Sequence, residues 1–174
     1  MFKKAIRFLY NSIRLMGTPC YHRLLAIDTT AKIDAGRRAE LYVGNNFRAR
    51  RNVEIHARCG KLHIGDGVFL NSGCILTARE SVLIGEGTIF GPNVLVYDHD
   101  HAIVNGRTMD NQFVTAPVII GKNVWIGAGT IILKGSVIED NCVIAAGSVV
   151  TGRVPADSVF VQKREKTIKR YSKS

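Results

Sequence analysis

Hydrophobic side chains recur at every sixth position along the second half of the chain. An α-helix would repeat them about every 3.6 residues and an ordinary strand every second residue, so neither element explains the spacing. A six-residue period is typical of a parallel β-helix, in which short strands follow one another around a coil. The uninterrupted series consists of Ile120, Ile126, Ile132, Ile138, Ile144 and Val150.

The same spacing extends toward the N-terminus in groups of three. Three short strands per turn predict a triangular coil of about eighteen residues, with the hydrophobic side chains stacked inside. Glycine after an inward residue, at Gly85, Gly91, Gly121 and Gly127, is expected to permit unusual backbone torsion angles at tight corners. The three groups are Val43, Ala49 and Ile55; Ile64, Leu70 and Leu76; and Ile84, Phe90 and Val96.

A long polar interruption separates Val96 from Ile120. The dipeptide Asn105-Gly106 within it favours a turn. We therefore expect residues 98–117 to form a loop that projects from the coil. Loops on a rigid scaffold commonly carry functional residues.

Two histidines at the start of this loop are candidate catalytic residues. His99 and His101 follow Asp98 and Asp100, respectively. A neutral imidazole held by a carboxylate or a backbone carbonyl is an effective general base near neutral pH. A solvated polar turn is the alternative interpretation of the same residues.

Composition agrees with a single folded domain, since 46% of the 174 residues are hydrophobic and only 4 are proline. Four cysteines show no paired spacing, so we expect reduced thiols in a cytoplasmic protein. No stretch is long and apolar enough to span a bilayer. The expected parts are an N-terminal amphipathic helix or cap over residues 1–25, a β-helix over 26–157 and a basic segment over 158–174.

The net charge of +10 is concentrated at the two ends of the chain. Residues 1–27 and 163–174 hold eleven of the 24 basic residues and one of the 14 acidic residues. The N-terminal helix either caps the first coil or places residues 1–17 on an anionic membrane at its inner face. Nucleic-acid binding is not expected, because aromatic residues do not alternate with the charges. The apolar positions at helical spacing are Phe2, Ile6, Leu9, Ile13 and Met16.

Several motifs resemble the hexapeptide-repeat acyltransferases, in particular the galactoside, maltose and polysaccharide O-acetyltransferases. The resemblance rests on the hexads, on the stretches Ile120–Gly127 and Val143–Thr151 and on the loop histidine. It implies a left-handed parallel β-helix, a homotrimer, and acetyl-CoA bound in the groove between neighbouring subunits.

The resemblance also implies two catalytic residues. The family histidine follows a Pro-Asn-Val segment that stands here at residues 92–94, which makes His101 the matching general base. The family asparagine that holds the acceptor hydroxyl matches Asn71, for which a purely structural place at a corner is the alternative. Asp98 or Asp100 is expected to orient the His101 ring.

Similarity to the family further implies a set of residues around the cofactor. Small residues are expected beside the pantetheine arm and basic residues beside the CoA phosphates, while the tryptophan lies beside the cleft or in a trimer contact. The C-terminal segment departs from the family pattern because its Gly-Pro is absent at residues 162–166. The implied cofactor-binding residues are Trp125, Ala128, Ala146, Thr151, Arg153, Lys166 and Lys169.

The implied function is direct transfer of an acetyl group from acetyl-CoA to a hydroxyl of a sugar or surface-polysaccharide precursor, without a metal. An N-acetyltransferase acting on an amino sugar is the nearest alternative. A zinc carbonic anhydrase, which uses the same type of coil, and a non-catalytic scaffold are further alternatives. The histidines available for zinc are His56, His63, His99 and His101.

Overall fold

The computed structural model describes residues 26–163 and residue 168. These residues form 21 strands, and none of them forms a helix that could cross a bilayer. The helix predicted over residues 1–25 and the side chains of Lys166 and Lys169 lie outside the described residues.

The strands are short and follow one another around successive coils. The first three coils contain β1 (Ala26–Ile27), β2 (Lys32–Ala35), β3 (Glu40–Val43), β4 (Arg48–Ala49), β5 (Glu54–Ala57), β6 (Lys61–Ile64), β7 (Phe69–Leu70), β8 (Ile75–Ala78) and β9 (Ser81–Ile84). The later coils contain β10 (Ile89–Phe90), β11 (Leu95–Tyr97), β12 (His99–Val104), β13 (Arg107–Thr115), β14 (Val118–Ile120), β15 (Trp125–Ile126), β16 (Ile131–Ile132), β17 (Val137–Ile138), β18 (Val143–Ile144), β19 (Val149–Val150), β20 (Arg153–Val154) and β21 (Val159–Phe160).

Three parallel sheets form the faces of the coil. Face A has the order β1-β4-β7-β10-β15-β18-β21, face B the order β2-β5-β8-β11-β16-β19, and face C the order β3-β6-β9-β14-β17-β20. Each inner strand pairs with its equivalents in the preceding and following coils, as β10 does with β7 and β15. The all-β coil with three strands per turn, predicted from the six-residue period, is confirmed.

The core is a column of side chains that repeats with the hexads. Every hydrophobic position used to predict the register is at most 4% exposed. The residue two positions earlier also points inward, and several of these residues are polar. Their hydroxyls donate to corner carbonyls, as from Thr130 to Gly127 at 2.8 Å and from Ser148 to Ala145 at 2.6 Å. These bonds satisfy buried hydroxyls that would otherwise destabilise the core.

The expected reason for the corner glycines is wrong. Gly85, Gly91, Gly121 and Gly127 do not have positive φ angles. They are small because the next coil passes directly above them: a Cβ on Gly127 would lie 2.5 Å from the backbone nitrogen of Ala146. Left-handed angles instead occur later in many of the corners, at Asn, Gly or Asp residues such as Gly129 (φ +65).

The polar interruption forms an antiparallel hairpin of β12 and β13, which leaves the coil between face B and face C. Asn105 and Gly106 form its turn with φ angles of 51° and 74°. The amide of Ala116 donates to the carbonyl of Asp98 at 3.0 Å and closes the base of the hairpin. The chain therefore returns to the same corner from which it left.

Candidate active site

A buried carboxylate anchors the base of the hairpin. Asp98 is fully buried and accepts backbone N–H groups from Arg79, Glu80 and Ser81 at 2.9, 2.7 and 2.8 Å. It also accepts a hydrogen bond from Nδ1 of His99 at 2.9 Å. The corner of the third coil thus holds the first residue of the hairpin, since several donors offset the cost of burying the charge.

The ring of His101 is oriented by a backbone carbonyl. Its Nδ1 lies 2.8 Å from the carbonyl oxygen of Met109, on the opposite hairpin strand. This contact corrects the expectation that Asp98 or Asp100 orients the ring, because Asp98 binds the third coil and Asp100 pairs with Lys134 at 3.2 Å. A carbonyl can only accept, so Nδ1 carries the proton and the neutral ring keeps a basic Nε2.

Phe113 and Arg79 complete the surroundings of the ring. The centroid of Phe113 lies 4.9 Å from that of His101 and 5.4 Å from that of His99. The guanidinium carbon of Arg79 lies 3.4 Å from the centroid of the Phe113 ring. This is a cation–π contact. Arg79 Nε is buried and has no hydrogen-bond partner within the described part of the chain.

A groove along the corner between faces A and B collects four of the predicted residues. Asn71, Trp125, Ala128 and Ala146 line it together with Pro92 and Ile89. Trp125 is 58% exposed on the outer surface of face A. The carboxamide oxygen of Asn71 accepts the amide of Ser72 at 2.9 Å, which leaves the NH₂ group for a ligand.

The groove also offers backbone donors. Among the described residues, the amides of Ala128 and Ala146 have no acceptor within the chain, whereas the neighbouring amides of Gly129 and Gly147 donate to Pro92 and Ala128. Both alanines are exposed and stand one above the other in successive coils. An extended ligand with amide carbonyls therefore finds paired donors at this edge.

The other predicted residues lie elsewhere in the chain. Thr151 follows β19 at the corner between faces B and C, two coils beyond the hairpin. Arg153 lies on face C, where it forms an ion pair with Glu139. His101 and Asn71 also belong to different corners, so one chain does not place them on a common edge.

Comparisons with known proteins connect these features to a family. A sequence profile described as "Bacterial transferase hexapeptide (six repeats)" matches residues 117–152. The chain is 27% identical over 176 residues to the putative lipopolysaccharide biosynthesis O-acetyl transferase WbbJ of Escherichia coli (strain K12), covering 95% of this chain and 83% of that protein. A maltose O-acetyltransferase structure from Clostridium difficile 630 is 30% identical with a TM-score of 0.54, covering 80% of this chain and 63% of that one. Residues 117–152 thus match the hexapeptide repeat of bacterial transferases, and the chain is similar to acyltransferases that carry this repeat.

The parallel coil of three strands per turn agrees with the left-handed parallel β-helix that the resemblance implied. The N-acyltransferase AntD from Bacillus cereus has the same fold, with a TM-score of 0.73 at 21% identity over 91% of this chain and 87% of that one. The chain spans about half the length of several other curated acetyltransferases that it matches. Within the described residues, no group of three His, Cys, Asp or Glu side chains is placed to hold a metal ion.

The sequence did not identify Arg79, Met109 or Phe113 as part of the site. Counting back from the Asn105-Gly106 turn places Asp110 opposite His101, but a register shift between His101 and Ile103 places Phe113 there instead. The one available signal was Phe113 itself, the single aromatic residue of β13.

Proposed function

We propose that this protein is a hexapeptide-repeat acyltransferase, namely an acetyl-CoA-dependent O-acetyltransferase with His101 as general base. The observation that carries the proposal is the hydrogen bond from Nδ1 of His101 to the Met109 carbonyl, which leaves Nε2 basic on an exposed hairpin. Asn71 is the second catalytic residue of the proposal and holds the acceptor hydroxyl. The neutral amide is suited to this role because it orients a hydroxyl without removing its proton.

The proposed reaction is a direct transfer. Nε2 of His101 takes the proton of the acceptor hydroxyl while the hydroxyl oxygen attacks the thioester carbonyl. The C–S bond then breaks, and the imidazolium returns the proton to the departing thiolate. A backbone N–H at the groove stabilises the oxyanion of the tetrahedral intermediate.

The proposed binding site of acetyl-CoA is the groove between faces A and B. The unpaired amides of Ala128 and Ala146 would bind the pantetheine carbonyls, and Trp125 would cover the arm. Thr151 and Arg153 lie at another corner and on another face of the same chain, so in this proposal they reach the cofactor from a neighbouring subunit. Lys166 and Lys169 remain predicted contacts to the CoA phosphates.

The proposed assembly is a homotrimer, and the separation of the two proposed catalytic residues supports it. Because His101 and Asn71 lie at different corners of one chain, the hairpin of one subunit would complete the groove of the next. Exposed apolar side chains on face A and face C support such packing, with Ile89 44% and Ile119 40% exposed.

The proposed acceptor is a sugar within a surface-polysaccharide precursor. The similarity to WbbJ, named as a lipopolysaccharide biosynthesis O-acetyl transferase, supports this choice. The same proposal locates the protein in the cytoplasm, with residues 1–17 against the inner face of the membrane. The division into residues 1–25, 26–157 and 158–174 also stays a prediction.

Titration calorimetry with acetyl-CoA tests the proposal. We expect saturable binding at about one site per chain, weakened at least about tenfold by Ala146→Arg, because the larger side chain fills the groove. Ala156→Arg is the matched control: Ala156 is also an exposed corner alanine but lies between faces C and A. Equal affinities for the two variants, or no binding to the unsubstituted chain, would refute the groove assignment.

A further inference from the structure

A basic pocket adjoins the groove in the preceding coils. Three arginines line it: Arg48 on the outer surface of face A, and Arg50 and Arg51 at the corner that follows. Asp28 and Phe69 also contribute to its wall. Three guanidinium groups against one carboxylate give the pocket a net positive charge.

Two of the guanidinium groups are held in place by an aromatic ring. The guanidinium carbon of Arg48 lies 4.8 Å from the centroid of Phe69, and that of Arg50 lies 5.6 Å from it. Such contacts restrict long side chains without neutralising their charge. The arginines are therefore oriented before a ligand arrives.

Carboxylates of the coil leave the charge of the three arginines unneutralised. Within residues 26–163, none of the three forms an ion pair with a carboxylate. Guanidinium groups that the protein leaves unneutralised attract an anionic ligand. Cationic side chains that do form ion pairs are Lys32, Arg58, Lys61, Lys122, Lys134 and Arg153.

The pocket and the groove form one continuous surface. Phe69 lines both, and the amide of Arg50 donates to the carbonyl of Leu70, directly before Asn71, at 3.0 Å. Arg50 and Asn71 thus occupy neighbouring coils at the same corner, separated by one strand spacing of about 4.8 Å. This separation is comparable to the size of one hexose ring.

We infer that the acceptor carries a phosphate group, which Arg48, Arg50 and Arg51 bind while Asn71 holds a hydroxyl of the same sugar. The ligand class is a glycosyl phosphate or glycosyl diphosphate. Guanidinium groups bind phosphate oxygens in pairs and stay charged at all relevant pH values. The inference rests on the proposed acetyl transfer, and it names the substrate class of that same site.

A binding experiment tests the pocket without requiring turnover. Inorganic pyrophosphate is titrated into the full chain in the presence of saturating CoA, so that the phosphates of CoA already occupy their own site. We expect saturable binding that falls at least about tenfold in Arg48→Gln/Arg50→Gln/Arg51→Gln, because charge-assisted hydrogen bonds are lost. Arg37→Gln/Arg38→Gln, which removes two arginines between faces B and C, is expected to change the affinity by less than about twofold.

A kinetic experiment tests the link to the acceptor. CoA release is measured with α-D-glucose 1-phosphate and with methyl α-D-glucoside, two acceptors that differ in the phosphate. We expect kcat/KM to be at least about tenfold higher for α-D-glucose 1-phosphate than for methyl α-D-glucoside. This preference should disappear in the triple arginine variant, while the KM for acetyl-CoA is unchanged. Faster transfer to UDP-glucose or to polyprenyl diphosphate glucose would support the same class and identify the carrier.

Several outcomes would overturn the inference. Equal kcat/KM for the two acceptors would overturn it and leave the acetyltransferase proposal intact, whereas absence of acetyl-CoA binding would refute the proposed function itself. A raised KM for acetyl-CoA in the triple variant would assign the arginines to the cofactor. Arginine-dependent binding to phosphatidylglycerol vesicles, without competition by pyrophosphate, would assign them to the membrane surface.

Discussion

His101 depends on neighbours from both strands of the hairpin and from the coil beneath. Its tautomer is set by the carbonyl of Met109 and its ring plane by Phe113, on which Arg79 rests. The adjacent His99 instead bonds to the buried Asp98. Two histidines only two residues apart therefore have different surroundings: His99 is mostly buried against Asp98, whereas His101 is exposed.

Replacing His101 tests the general base. We expect His101→Ala to lower acetyl transfer by about two to four orders of magnitude, because the acceptor hydroxyl loses its proton acceptor, while calorimetry still detects acetyl-CoA binding. His63→Gln removes an imidazole on face C that bonds to Glu40 and should retain activity. A loss of less than tenfold in His101→Ala would contradict the assignment.

The cysteines Cys59 and Cys74 differ in accessibility. Cys74 is buried, and this burial raises the pKa of its thiol to about 11 from 9.0. Cys59 is exposed. At pH 8 we expect iodoacetamide to modify Cys59 in the native protein and Cys74 only after denaturation, because the thiolate is the reactive species. Peptide mapping by mass spectrometry resolves the two sites, and native labelling of Cys74 at a similar rate would contradict its burial.

The same pKa shift of Cys74 has a consequence for stability. In the unfolded chain the thiol ionises near 9.0, whereas in the folded chain it stays protonated up to about pH 11. The unfolded state therefore binds fewer protons between these values, and the folded state loses stability as pH rises through this interval. Cys74→Ala should remove this part of the pH dependence in urea unfolding.

At the scale of elements, Asp98 joins the hairpin to the coil. We expect Asp98→Asn to lower the free energy of unfolding by about 2–4 kcal/mol, because the amide group would direct an NH₂ at backbone donors. Hydrogen exchange across residues 99–115 should also accelerate. Asp100→Asn is the control, because Asp100 is exposed and forms an ion pair with Lys134. We expect this substitution to lower the free energy of unfolding by about 1 kcal/mol or less. Equal effects of the two variants would argue against an anchoring role for Asp98.

The hairpin also marks where prediction from sequence succeeds and fails. The Asn105-Gly106 turn was predictable because few dipeptides adopt two positive φ angles. The partner of His101 was not, because a bulge shifts the register between His101 and Ile103. Bulges depend on packing against the coil rather than on a local sequence signal, so the contact between His101 and Met109 could not be assigned in advance.

At the scale of the molecule, the coil is held together by close stacking at its corners. Gly127→Ala would place a methyl group 2.5 Å from the backbone of the next coil, and we expect it to lower the free energy of unfolding by more than about 3 kcal/mol. Gly129 has open space around it but a φ of +65°, so Gly129→Ala should cost only about 1–2 kcal/mol. Urea unfolding compares the two, and a similar loss in both would contradict the stacking explanation.

The fold was predictable because its hydrophobic positions repeat in register, as Ile120, Ile126 and Ile132 show. Each coil buries hydrophobic side chains at equivalent positions, so one sequence pattern predicts the packing of every coil. The groove was partly predictable, since Asn71, Trp125, Ala128 and Ala146 meet there. The basic pocket was not, because Arg48 and Phe69 come together only through the pairing of β4 with β7.

The hairpin can change length without disturbing the coil. Its base is closed by the bond from Ala116 to Asp98, and β11 and β14 on either side still pair with the next coil at β16 and β17. Insertions or deletions near Gly106, where no atom lies close to an added Cβ, therefore leave the register of every face intact. Hairpin length can thus diverge among descendants of one scaffold while the packing of the coil is inherited unchanged.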